Sequence, residues 1–168
     1  MIGRALFAWT LLAALAVPAA AQVAAKPPPF RAIDYPIEVR KALAYAPLEC
    51  RREGGGKVTF APDTVRKVDL NGDGRDDYVV SLQDTTCSTY AGGFCGTAGC
   101  TMDFLVTLPD GKIRNVFSDR IRGYEILPAE GKVRFQLHGS YCGRSGNPSC
   151  FKDHRITGKP FAFVEPKE

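Results

Sequence analysis

The clearest chemical pattern in the chain lies in one short stretch, Asp69-Leu70-Asn71-Gly72-Asp73-Gly74-Arg75-Asp76-Asp77. Counted from Asp69, side-chain oxygens recur at the first, third, fifth and ninth positions, on Asp69, Asn71, Asp73 and Asp77. A hard cation such as calcium takes about six to eight oxygens at ~2.3–2.6 Å, and this spacing brings several of them from a single loop. Gly74 stands where such a loop must turn sharply. Arg75 follows, where a backbone carbonyl serves as ligand and the side chain is free to point away. Three carboxylates this close repel one another unless a cation sits among them. The expected metal set is therefore Asp69, Asn71, Asp73, the carbonyl of Arg75, and Asp77. It would hold one Ca2+ in a structural role, with water completing the shell and an affinity in the micromolar range or weaker. A plain polar turn is the alternative, because Asn-Gly and Asp-Gly are common hairpin turns. The ligand spacing and the length of the run favour calcium.

The flanks define the kind of loop. An EF-hand closes with a bidentate Glu at its twelfth position and is bounded by helices. Here that position is Val80, and Tyr78-Val79-Val80-Ser81-Leu82 reads as a strand. The stretch instead resembles the strand-flanked Asp-x-Asn-x-Asp-Gly-x-x-Asp loops of FG-GAP and VCBS-type repeats, present here in one copy. That resemblance implies calcium held between β-strands by Asp69, Asn71, Asp73 and Asp77 with the Arg75 carbonyl. The chain beyond the loop resembles a group of uncharacterised proteobacterial exported proteins. The likeness rests on residues 69–78, on Phe94-Cys95-Gly96-Thr97-Ala98-Gly99-Cys100, and on Leu137-His138-Gly139-Ser140-Tyr141-Cys142-Gly143. It implies a compartment and the loop, not an activity.

Catalytic chemistry is thin elsewhere. His138 ends a strand beside Gly139-Ser140, which admits a Ser–His hydrolase. However, His138 falls on the polar face of that strand, and Gly139-Ser140-Tyr141-Cys142-Gly143 lacks the spacing of a nucleophile elbow. His154 sits among Lys152, Asp153 and Arg155 and reads as a solvated loop. The Gly-rich stretch 92–99 lacks the Lys of a phosphate-binding loop, and there is no H-E-x-x-H pair for zinc. No catalytic or cofactor-binding residue is assigned, and the balance is against an enzyme.

Cysteine usage points to an oxidising compartment. The six are Cys50, Cys87, Cys95, Cys100, Cys142 and Cys150, an even set that reads as up to three disulfides. Cys142–Cys150 is expected as a local staple, and the pairing of the other four is open. Zinc on Cys87, Cys95 and Cys100 is the competing reading, disfavoured because oxidation removes the thiolates. The N-terminus agrees: Arg4, an apolar run from Leu6 to Val17, Pro18, then Ala19-Ala20-Ala21. That is the order of a cleaved signal peptide over residues 1–21. The run is ~12 residues, short of the ~20 of a spanning helix. A periplasmic or secreted protein is expected, with no membrane association after cleavage.

Composition narrows the partners. The chain has 168 residues and a formal net charge of +4. Charges of both signs are interspersed, without a basic stripe carrying aromatics, so nucleic acid is not expected. The partner would be an unknown protein or envelope component, and oligomeric state is not legible.

The elements that must position the loop follow from periodicity. Residues 22–33 are Pro-rich and read as a flexible leader, and 34–168 as a single β-rich domain. Asp34 can cap a helix running Ile37 to Tyr45, with Ile37, Leu43 and Ala44 toward the core and Pro47 ending it. The period then changes to two. Strands are expected over 77–82, 101–108, 113–117, 124–127 and 132–138, and a terminal strand at Phe161 and Phe163. Pro109-Asp110-Gly111 and Pro128-Ala129-Glu130-Gly131 are turns. The expected fold is mostly β: an antiparallel, sandwich-like domain of about six to eight strands with one short N-terminal helix, stabilised by disulfides. The function that fits is an exported, calcium-binding, disulfide-bonded binding or structural module without catalysis. The alternatives are a periplasmic inhibitor or accessory factor of an envelope enzyme, and a hydrolase using His138 and Ser140.

Overall fold

The structure, a computed structural model, describes residues 29–90, 92–145 and 148–163. The expected signal peptide lies outside the described residues, as does the leader up to residue 28. Two helices, α1 (Ile37–Leu43) and α2 (Tyr45–Arg52), run end to end around Ala44. Ten strands follow: β1 (Val58–Thr59), β2 (Val65–Val68), β3 (Asp77–Ser81), β4 (Thr86–Cys87), β5 (Cys95–Gly96), β6 (Gly99–Thr107), β7 (Ile113–Ile121), β8 (Gly123–Leu127), β9 (Lys132–His138) and β10 (Ser149–His154). All pair antiparallel, and seven have four or more residues, within the expected number.

The helical segment extends further than Pro47 suggested. Pro47 lies in the first turn of α2, where a missing N–H breaks no intrahelical bond. The cap also differs, because Pro36 precedes α1 and Asp34 belongs to a separate 3₁₀ turn, Ala32–Asp34. The buried stripe is Val39, Leu43, Ala46 and Cys50, at spacings of four, three and four that keep one face inward. Ile37, expected in the core, is 54% exposed, and Ala44 also faces solvent. Phe30, in the stretch read as leader, packs against Tyr35 and Phe60 with ring centroids 5.6 and 5.1 Å apart.

A central sheet has β3 and β6 at its heart, with β2 beside β3 and β7 on the far edge of β6. The helices cover one face. There Val65, Tyr78, Val80, Leu82 and Leu105 meet Val39, Leu43 and Ala46. The other face carries Val79, Met102, Phe104, Val106 and Phe117, and packs on Val133, Phe135 and Leu137 of the second sheet, β10-β9-β8. The result is three layers. Because β3 is buried on both faces, it reads as a continuous apolar run. By contrast β9, with one face outward, alternates strictly.

Aromatic rings fill the space between the sheets: Phe104 and Phe117 lie 5.1 and 5.2 Å from Phe135. Phe161 and Phe163 do not form the expected strand. They close the open end of this cluster, with Phe161 stacked on Phe117 at 4.9 Å and its N–H donating to the Val116 carbonyl at 2.9 Å. Lys152–His154 is not a solvated loop either. It belongs to β10, and the His154 ring stacks on Phe161 at 3.8 Å.

Three disulfides staple this frame. Cys142–Cys150 forms as expected. Cys50–Cys87 ties α2 to the small β1–β4 pair, and Cys95–Cys100 joins directly opposed residues of β5 and β6. No cysteine among the described residues is free, so thiolate ligation of zinc is ruled out in this form.

Candidate metal centre

The loop with ligand spacing connects β2 to β3, whose last pair is Val68 with Asp77. It is held at both ends by burial. Leu70 inserts into the core between the sheets, and Asp77 opens β3 with no exposed surface. The Asp77 carboxylate joins three segments. Its Oδ2 accepts from the Leu70 N–H at 3.0 Å, and its Oδ1 from the Thr107 N–H at 2.8 Å, at the end of β6. The Thr107 hydroxyl returns a bond to the Asp76 carbonyl at 2.6 Å.

Between these anchors the loop winds around Asp69. Its Oδ1 accepts from the N–H groups of Asn71, Gly72 and Asp73 at 3.2, 2.7 and 3.2 Å, and its Oδ2 from Gly74 at 2.8 Å. Asn71 Oδ1 accepts from the Asp73 N–H at 3.1 Å, and Asp73 Oδ1 from the Arg75 N–H at 2.9 Å. These nested turns need Gly72 and Gly74 at positive φ, 77° and 79°, a region costly for side chains with a Cβ.

The electrostatics show why the carboxylates matter to one another. Burial pushes the Asp77 carboxyl above its usual range. The Thr107 and Leu70 N–H groups oppose that, while the charges of Asp73 and Asp69 raise it further. Asp69 goes the other way: four backbone N–H bonds outweigh its partial burial and hold it below the usual value. Like charges therefore act on one another at the head of β3, and each carboxylate oxygen that accepts one N–H keeps a second lone pair.

All four expected side chains and Arg75 fall in this one loop. Two details differ from the expectation. The Arg75 side chain does not point away. Its guanidinium pairs with Asp73 Oδ2, and its Nε donates to the Thr107 carbonyl at 3.1 Å. Nor are the acids drawn onto a single point: among the described residues no cluster of three His, Cys, Asp or Glu stands ready to hold a metal. The donor types fit calcium, with Asp69, Asn71, Asp73, the Arg75 carbonyl and Asp77 as the residues that would hold it. Occupancy would require Asp73 to exchange the Arg75 guanidinium for the ion. Thr107 is a supporting residue that spacing did not reveal, because it lies 30 residues away in sequence.

The structure brings His138 and Ser140 together. His138 Nδ1 lies 2.9 Å from Ser140 Oγ and accepts the Ser140 N–H at 3.2 Å, capping the 3₁₀ turn Gly139–Cys142. A ring nitrogen that caps the turn is committed to backbone structure. No carboxylate orients the ring among the described residues.

Among the described residues no helix is long and apolar enough to cross a membrane. No family model, curated protein or solved structure matches the chain.

Proposed function

We propose that this protein is an exported, disulfide-bonded binding or structural module whose loop 69–77 is stiffened by one calcium ion, and that it has no catalytic role. The observation that carries the reading is the placing of Asp69 and Asp73 near Asp77 at the head of β3, close enough that the charges of the first two raise the carboxyl of the third. A divalent cation removes that repulsion and ties the β2–β3 connection to the end of β6. Its task is then mechanical: it fixes where β3 begins. Three disulfides are consistent with a periplasmic or secreted location.

The test is thermal unfolding of the oxidised protein in chelator, in millimolar calcium and in magnesium. A ligand that binds only the folded state stabilises it by RT ln(1 + [L]/Kd), ~2.7 kcal/mol at a hundredfold excess over Kd. A calcium-specific rise that disappears in Asp73→Ala supports the reading. No rise in calcium, with no ion retained on purification, refutes it and reduces the loop to a polar connection.

A further inference from the structure

A cleft of about 520 Å³ lies between the helices and the central sheet, away from the calcium loop. One wall comes from the helical segment, Glu38, Lys41 and Ala42 of α1 with Tyr45 at the start of α2. The floor is polar, which is unusual for a sheet face under a helix. It consists of Thr101 and Asp103 from β6 and Asn115, Ser118 and Arg120 from β7, with Asp119 beside them. Thr101 stands opposite Arg120, and Asp103 opposite Ser118.

Several of these groups have partners within the fold. Lys41 pairs with Glu38 at 2.8 Å on the rim. Asp119 accepts the Tyr141 hydroxyl at 2.7 Å and the Arg120 N–H at 2.7 Å. Two groups remain. The guanidinium of Arg120 makes no hydrogen bond or ion pair with any described residue. Asp103 is 5% exposed and takes hydrogen bonds from the Asn115 amide at 2.7 Å and from Ser118, and among the described residues it has no cationic partner. An open guanidinium and a buried carboxyl therefore share one cleft.

We infer that this cleft binds a free α-amino acid, its ammonium group on Asp103 and its carboxylate on Arg120. The geometry supports one small zwitterion over two separate ions. Asp103 and Arg120 both line the cleft and are diagonal neighbours on β6 and β7, positions whose backbones stand ~7–8 Å apart. The Arg120 guanidinium lies over Gly96 on the β5 side of β6, and its long side chain turns toward a ligand whose ammonium and carboxylate share one carbon, each end making a charge-assisted hydrogen bond of ~2.7–2.9 Å. The Ala42 methyl and the Tyr45 ring offer an apolar wall to the ligand's side chain, and the volume lies in the range of ~300–1,000 Å³ typical of small-molecule sites. Arg is the residue suited to bidentate carboxylate recognition. The site does not depend on the calcium loop.

The experiment uses the full oxidised protein, with calcium and separately with chelator, titrated calorimetrically with the standard α-amino acids one at a time. The matching decarboxylated amines and deaminated acids serve as controls. At least one amino acid should bind saturably at millimolar concentration or below, in both buffers. Its amine and acid analogues should each bind at least tenfold more weakly. Arg120→Gln should weaken the amino acid at least tenfold and leave the amine unchanged. Asp103→Asn, which keeps an acceptor for Asn115, should also weaken the amino acid at least tenfold but leave the deaminated acid unchanged. The absence of saturable binding by any amino acid overturns the proposal, and so does equal binding of amino acid, amine and acid by the parent protein. That second comparison needs no variant. Binding that persists in chelator stands even if the calcium reading fails.

Discussion

Replacing Asp77 with Ala separates the structural work of that carboxylate from any metal it holds. The parent side chain has no exposed surface and accepts the Leu70 and Thr107 N–H groups. Removing it leaves both donors buried without an acceptor, at about 1–3 kcal/mol each. Some of that cost is offset, because the variant no longer buries an ionised group beside Asp69 and Asp73. The expected net loss is about 2–4 kcal/mol in chelator. At ~2.1 cal/mol/K per residue over roughly 130 folded residues, this corresponds to a Tm lowered by ~7–15 °C. The assay is thermal unfolding with the disulfides intact, checked by urea midpoints at constant m. Asp73→Ala in the same buffer is the comparison. The Asp73 residue lies at the loop surface, and among the described residues its side chain accepts only from the Arg75 N–H and guanidinium, so the change should cost under about 1 kcal/mol. In calcium both variants should lose the ion-dependent rise. If Asp77→Ala stays within about 1 kcal/mol of the parent in chelator, the argument that Asp77 anchors the loop to β6 is wrong.

Three further outcomes are expected. Asp103 has its carboxyl raised by burial, with hydrogen bonds from Ser118 and Asn115 opposing. Between the ordinary carboxylate range and the raised folded value, the native state keeps a proton that the unfolded chain has released. Stability therefore falls as pH rises through that window, and Asp103→Asn should flatten the fall and gain on the parent at neutral pH in a pH series of urea melts. Replacing both cysteines of Cys50–Cys87 by Ser, a sequence separation of 37, should cost about 4 kcal/mol by loop entropy. The same change at Cys142–Cys150, a separation of 8, should cost about 2.5 kcal/mol, so the order of the two Tm values is the check. Phe104→Ala removes a ring with no exposed surface that touches Phe117, Tyr124 and Phe135. It should cost about 3–5 kcal/mol by chemical denaturation.

How legible these features were in sequence depended on how local they are. The alternation of β9 follows from one buried face and can be read residue by residue. The Asp69–Asp77 loop is equally local, since its turns bond residues two to five apart. The β10 strand was hidden because Lys152, Asp153 and His154 look solvated. In fact Asp153 pairs with Arg134 across the strands at 2.8 Å and His154 stacks on a distant Phe161. Pro47 misled for a positional reason: a proline that ends one helix and a proline in the first turn of the next look alike in sequence. The polar cleft was invisible. Its residues come from α1, α2, β6 and β7, and only strand pairing brings Asp103 opposite Ser118 and Thr101 opposite Arg120.

The double burial of β3 also has a kinetic consequence. Val79 belongs to the core between the two sheets, while Tyr78 and Val80 belong to the core under the helices. Neither core can open around this strand without disturbing the other, so the two behave as one cooperative unit rather than two. Amide protons of β3 and β6 should exchange only on global opening, at rates set by the whole-domain stability. Asp77, the first residue of β3, sits where the loop meets that unit. A change of a single charge there should alter exchange on both sides of the sheet by the same free energy, although the helices and the second sheet never share a residue.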